Sequence, residues 1–202
     1  MQTTGRENDD QIYDIPVLTD KRLVIYVGAY GSGKSEVAVN SALYIAGHPS
    51  RRGRKVVLAD LDMINPFYRS ADARTVLENN GILLIASGFV NSNVEAPSVP
   101  AEISSVFDSE NMLAVLDIGG EDMGARVVAS MKDRILETDH EILMVINTKR
   151  PFTSDAEQIS RMKSELENAC GINITGLVNN TNLLSLTTPD ELHASACVIR
   201  EV

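Results

Sequence analysis

The chain has 202 residues, a hydrophobic fraction of 44% and a formal net charge of −10. That size and apolar content fit one globular domain with a sizeable core. The acidic balance excludes general nucleic-acid binding, which needs a basic surface. Aromatic residues make up 4% and Trp is absent, so Val, Ile, Leu, Ala and Met must build the core.

The first residues are polar and acidic, without a signal-peptide pattern, and no apolar run reaches the roughly 18 residues of a membrane span. A cytoplasmic location is therefore expected. Residues 1–20 read as a tail, with an extended edge segment over 12–18. Residues 21–202 read as one nucleotide-binding domain, with truncation at its C-terminus left open.

The first strand is expected at Leu23–Val27. Gly28-Ala29-Tyr30-Gly31-Ser32-Gly33-Lys34-Ser35 follows and fits G-x-x-x-x-G-K-[ST] at every fixed position. Glycines let successive backbone N–H groups point inward at phosphate oxygens, and the helix behind them adds its positive end. Gly28, Gly31, Ser32, Gly33, Lys34 and Ser35 are thus the candidate phosphate binders. Lys34 is positioned to reach the β- and γ-phosphates, and Ser35 to offer its hydroxyl to Mg²⁺. A helix is expected from Lys34 to Ala46, capped by Gly47. The basic run Arg51-Arg52-Gly53-Arg54-Lys55 reads as a solvated connection.

A second strand is expected over Lys55–Leu61, ending in Asp60-Leu61-Asp62. Carboxylates at the carboxyl end of a parallel strand sit where ligands bind. Asp60 and Asp62 are expected on opposite sides, so that one of them faces the phosphate crevice. Asn65-Pro66-Phe67-Tyr68-Arg69 places two aromatics together and reads as a first switch segment. A third strand follows at 81–86, then a loop over 87–100 and a short helix over 101–108.

Met112-Leu113-Ala114-Val115-Leu116-Asp117 is an apolar run delivering one acid, the Walker B arrangement, which assigns Asp117 to Mg²⁺. Gly119 and Gly120 allow close backbone approach to a γ-phosphate, as a second switch requires. Glu121 and Asp122 read as water-positioning or helix-capping acids. A helix is expected over 124–136, a strand over 141–147, and a helix from a Thr153 or Ser154 cap to Asn168. A last strand over 174–179 opens into Asn180, and a final helix begins near Thr188. The order is βα repeated, with continuous apolar strands, which predicts a parallel sheet covered by helices on both faces.

His48, His140 and His193 are scattered without ligand spacing, and Arg69 and Arg126 read as solvated. Cys170 and Cys197 read as buried reduced thiols. The sequons at Asn173 and Asn179 read as chance.

Together, the phosphate loop, Asp60-Leu61-Asp62 and Asp117-Ile118-Gly119-Gly120 resemble the MinD/ParA/CobQ-type P-loop NTPases, over about residues 21–185. The resemblance implies a three-layer α/β sandwich with a mostly parallel sheet. It places one acid of the Asp60/Asp62 pair beside Mg²⁺ or the attacking water, and makes the Asp117–Gly120 segment the second switch. It gives Asn179 or Asn180 to the base. Ala29 and Tyr30 depart from the pattern, since many members carry a second lysine there that acts across a dimer. The loop is of the ordinary Walker A type, and a homodimer stays open.

Asn147-Thr148-Lys149-Arg150 does not match the Asn-Lys-x-Asp that selects guanine, so ATP is expected over GTP. The expected function is a slow Mg²⁺-dependent ATPase that reports nucleotide state to a protein partner. Lys34 and one of Asp60 and Asp62 carry the chemistry. The alternatives are a small-molecule kinase or ligase on the same fold, with the 87–100 loop as its pocket, and a module that binds nucleotide without hydrolysis.

Overall fold

A computed structural model describes residues 15–51, 53–62, 71–86 and 102–202, without the side chains of residues 71–73, 121 and 122. The expectations for residues 1–14, the first switch segment over 65–69 and the 87–100 loop lie outside the described residues.

The described strands are β1 (Leu23–Val27), β2 (Lys55–Leu61), β3 (Ile82–Ala86), β4 (Met112–Ile118), β5 (His140–Ile146) and β6 (Gly176–Asn179). They form one parallel sheet in the order β3-β2-β4-β1-β5-β6. The helices are α1 (Pro16–Thr19), α2 (Lys34–Gly47), α3 (Ala71–Asn79), α4 (Ile103–Asp108), α5 (Glu121–Ser130), α6 (Lys132–Leu136), α7 (Ala156–Cys170) and α8 (Pro189–Ile199).

Right-handed crossovers fix which face each helix covers. The connections from β1 to β2 and from β2 to β3 run one way along the sheet, and all later ones run the other way. So α2 and α3 belong on one face, and the connecting helices α4 to α7 on the opposite one. The core confirms this split. Val24, Tyr26, Val56, Leu58, Leu113, Val115 and Val145 pack with Leu18 of α1, Ala38, Ala42 and Ile45 of α2, and Leu77 of α3. Their strand neighbours Ile25, Val57, Leu116 and Met144 pack with Ile103, Val128, Ile135, Ile159 and Ile199. The continuous apolar strands are thus two alternating faces, each buried by its own helical layer. Tyr26 ties β1 to α2, its hydroxyl 2.7 Å from Ser41 Oγ in the buried layer.

Several local expectations change. Pro16–Thr19 forms a helical turn rather than an extended segment. The helix expected over 124–136 starts at Glu121 and breaks at Met131, giving α5 and α6. Asp155 caps α7 through the Gln158 N–H, in place of Thr153 or Ser154. His48, not Gly47, ends α2. Cys170 is buried but Cys197 is exposed, because Cys197 lies on the outer side of α8. Arg51 and Arg54 are not merely solvated. Arg51 donates to the carbonyls of Ala46 and Arg54, which covers the carbonyl end of α2, and Arg54 donates to those of Ser50 and Arg51 in the turn that follows. The last helix begins near Thr188 as expected, and Thr188 and Glu191 form a reciprocal capping box there.

Candidate functional site

The loop from Gly28 to Ser35 leaves β1 next to β5, where the onward connections of the two strands run in opposite directions. This is the switch point at which open α/β sheets bind ligands. At Gly28 (φ +138°) an added Cβ would lie 2.5 Å from the Val145 carbonyl oxygen, so only glycine lets the loop lie this close to β5. Gly33 (φ +86°) occupies the N-cap of α2 in a left-handed conformation, and no side chain caps the helix. The first N–H groups of α2 are thereby left to a ligand, with the positive helix end behind them. Lys34 is 6% exposed, and its Nζ donates to the Ala29 carbonyl at 3.0 Å, which holds its charge inside the curve of the loop.

The acids converge on the same place. Asp60 pairs in register with Asp117, and Tyr26 pairs with Asp117 from the other side. Strand alternation puts Asp60 on the face of Val56 and Leu58, and Asp117 on the face of Leu113 and Val115, which is the face of α2. The expected divergence of Asp60 and Asp62 is corrected here. A strand has a period of two, so residues two apart share a face. The Asp62 N–H donates to Asp60 Oδ1 at 3.1 Å, and both carboxylates act on the charge of Asp117.

Asp117 is 1% exposed, and neither of its oxygens completes a hydrogen bond of good geometry. Burial pushes its carboxyl up to about 7. The Ser35 hydroxyl beside it offsets part of that rise, Asp60 adds to it, and Lys34 counters it. An orphaned buried carboxylate next to a hydroxyl fits a divalent cation. Mg²⁺ commonly takes one or two protein oxygens and fills its remaining positions with phosphate and water. Among the described residues no group of three or more His, Cys, Asp or Glu has the arrangement of an all-protein metal cage. Ser35 and Asp117 are therefore the residues that could hold the ion, together with a bound phosphate.

Gly119 and Gly120 abut this centre. A Cβ on Gly119 would lie 3.0 Å from Asp62 Oδ1, and one on Gly120 would lie 3.2 Å from the Tyr30 nitrogen. Gly124 was not singled out from the sequence, yet a Cβ there would lie 1.8 Å from the Gly119 carbonyl oxygen. The start of α5 thus holds the Gly119–Gly120 backbone against the loop that follows β1. The signal that could have found it is the absence of a side chain within the first turns of a helix, where glycine carries a cost of about 1 kcal/mol.

The loops after β5 and β6 form the other wall. Asn180 Nδ2 donates to the Ser32 carbonyl at 2.8 Å. Asn179 is turned to α8, with Nδ2 donating to Ser195 Oγ at 2.9 Å and Oδ1 accepting from the Thr181 N–H. Arg150 Nε donates to the Gly31 carbonyl at 3.1 Å. No sequence motif marks Arg150 as a site residue; its only cue is its place in the loop that follows β5 at the crevice.

A cleft of about 530 Å³ opens beside the site. Gly28, Ala29 and Gly120 form one end, and Met123 of α5 and Met162 and Leu166 of α7 line the body. Phe152 at its rim has φ +68° and is 74% exposed.

No family model and no curated protein matches the chain. Among solved structures, the VpsO kinase domain aligns with a TM-score of 0.50 at 16% identity, over 82% of this chain and 87% of its own. FlhF complexed with GTP and Mg²⁺ aligns with a TM-score of 0.49 at 12% identity, over 88% and 73%. The signal recognition particle receptor FtsY of Elizabethkingia anophelis aligns with a TM-score of 0.42 at 16% identity, over 87% and 65%. The chain is similar in fold to the first of these. Its open parallel sheet, with a G-x-x-x-x-G-K-S loop at the switch point, is the α/β fold of the P-loop NTPase class.

Proposed function

We propose that the chain is a Mg²⁺-dependent ATP-binding protein of the MinD/ParA type. We read it as a slow ATPase that acts as a nucleotide-state switch for a protein partner. The observation that carries this reading is the Asp117 carboxylate. It is buried, without a completed hydrogen bond, and held on the α2 face beside Ser35 and the phosphate loop. A protein does not keep such a group at no benefit, because an unmade buried hydrogen bond costs about 1–3 kcal/mol.

Mg²⁺, when bound, supplies charge neutralisation for the phosphates. The chain's own groups do the rest. The open N–H groups at the start of α2 bind phosphate oxygens. Lys34 exchanges its Ala29 contact for the phosphates, which frees the loop backbone to tighten. Ser35 and Asp117 orient the metal side. Asp60 or Asp62, close enough to Asp117 to alter its charge, orients the attacking water in line. The Gly119–Gly120 backbone, packed between Asp62 and Tyr30, is the element whose position reports the γ-phosphate.

The missing guanine-selecting pattern at Asn147–Arg150 favours ATP. The deciding experiment is a binding and phosphate-release panel with ATP and GTP, with and without Mg²⁺. Tight Mg²⁺-dependent ATP binding with slow release is the expected result. Absence of binding to either nucleotide would sink the reading.

A second reading, a small-molecule kinase or ligase, draws support from the cleft whose end is built by Gly28, Ala29 and Gly120. Its volume is within the range of small-molecule pockets, roughly 300–1,000 Å³. It predicts ATP consumption only when an acceptor is added, whereas the switch turns over slowly without one.

A further inference from the structure

We propose that Asn180, backed by Arg150, is a positioning residue for the phosphate loop and not a contact to the base. This rests on the nucleotide reading above.

A peptide unit is planar, with its C=O and N–H pointing in opposite directions. Asn180 Nδ2 holds the Ser32 carbonyl at 2.8 Å. The same peptide's N–H, on Gly33, is therefore turned to the opposite side, into the cradle. Arg150 Nε holds the preceding carbonyl, that of Gly31, at 3.1 Å. The Ser32 N–H closes the turn onto the Ala29 carbonyl at 3.2 Å. Two consecutive carbonyl dipoles are thus held away from the space that phosphate charge would fill. Released, either could swing inward and repel the anion.

The clamp is itself rigidly mounted. The Asn180 N–H donates to the Ile146 carbonyl at the end of β5 at 2.7 Å. The Asn180 carbonyl accepts from Asn182 Nδ2 at 2.8 Å, and the Asn182 carbonyl accepts from Asn147 Nδ2 at 3.2 Å, where Asn147 is buried. The fit is tight, since a Cβ on Gly33 would lie 2.3 Å from Asn180 Nδ2. The sheet therefore sets the loop's geometry before any ligand arrives, which is how preorganised sites avoid an ordering cost on binding.

The test is calorimetric titration of the full chain with Mg²⁺-ATP, Mg²⁺-GTP and Mg²⁺-tripolyphosphate, the last having no base. Asn180→Ala should weaken every ligand that the wild type binds by the same factor, about tenfold, the worth of one hydrogen bond near a charge. Arg150→Ala, at an exposed position that should not affect folding, should weaken them all by about threefold. The melting temperature of the ligand-free protein should stay within error for Arg150→Ala. A loss confined to ATP or GTP, with tripolyphosphate binding intact, would overturn the proposal and make Asn180 a base contact. Unchanged affinity for all ligands in both variants would also overturn it. A wild-type chain that binds none of the three would instead remove the nucleotide reading, and the clamp with it.

Discussion

The two walls of the phosphate loop are built on opposite principles. On the β2–β4 wall, Asp60 and Asp117 stand in register, and the Asp117 oxygens are buried without a completed hydrogen bond. On the β5–β6 wall, Asn147, Asn182 and Asn180 are linked in series and to the loop by hydrogen bonds, and Thr181 Oγ1 accepts from the Thr148 N–H. The first wall leaves the Asp117 acceptors open, and on the proposed reading a cation fills them. The second is complete without any ligand. A site that must respond to a ligand needs both, because the satisfied wall holds the geometry while the unsatisfied one stores the drive to bind.

The contrast is open to attack, and Lys34→Ala is the strongest blow. It removes the cation between the walls and should weaken Mg²⁺-ATP by roughly 100-fold or more, read by calorimetry, as expected for loss of charge-assisted contacts. Asp117→Asn tests the incomplete wall with two readouts. Mg²⁺-dependent phosphate release should fall by about 100-fold. Stability of the ligand-free protein should move the other way. The folded carboxyl titrates near 7 and the unfolded one near 3.8, so the native state binds more protons in that window. Wild-type stability then falls as pH rises from about 4 to about 7. Asn cannot ionise, so the variant should be more stable than wild type at pH 8, by about 1–3 kcal/mol, and equal to it near pH 4. Urea melts at the two pH values decide this, and a variant less stable at pH 8 would refute the incomplete wall.

Gly124→Ala probes the packing of α5 against the Gly119 backbone. The 1.8 Å approach to the Gly119 carbonyl leaves no room, so a loss of about 2–3 kcal/mol is expected in thermal melts. Glu191→Gln should have the smallest effect. Lys149 holds the Glu191 carboxyl below its ordinary range, with help from the Thr188 N–H. Its contribution is present at neutral pH and is lost as pH falls through the lowered value. The pair is solvent-accessible, so the fall in melting temperature should be barely above error and vanish in 1 M salt.

The fold was largely legible in the sequence, since continuous apolar strands alternating with helices leave few arrangements besides a parallel sheet with two helical layers. The G-x-x-x-x-G-K-S loop was legible because its pattern is carried by consecutive residues. The acid pair was located, but the expected divergence of Asp60 and Asp62 fails, because the chain turns just past β2 and the Asp62 N–H donates to Asp60 Oδ1. Gly124 and Arg150 were missed because each matters through one contact, with Gly119 and with Gly31, that no local pattern announces.

The sequence by itself determined the strands, the cradle from Gly28 to Ser35, and the acids Asp60 and Asp117 at strand ends. These follow from period, glycine placement and charge over short stretches. The tertiary structure alone decided which groups meet. Asn180 reaches Ser32 across 148 positions, and Arg150 reaches Gly31 across 119. Those contacts depend on β5 and β6 lying beside β1, and strand order is set by packing and crossover handedness rather than by any neighbouring residue.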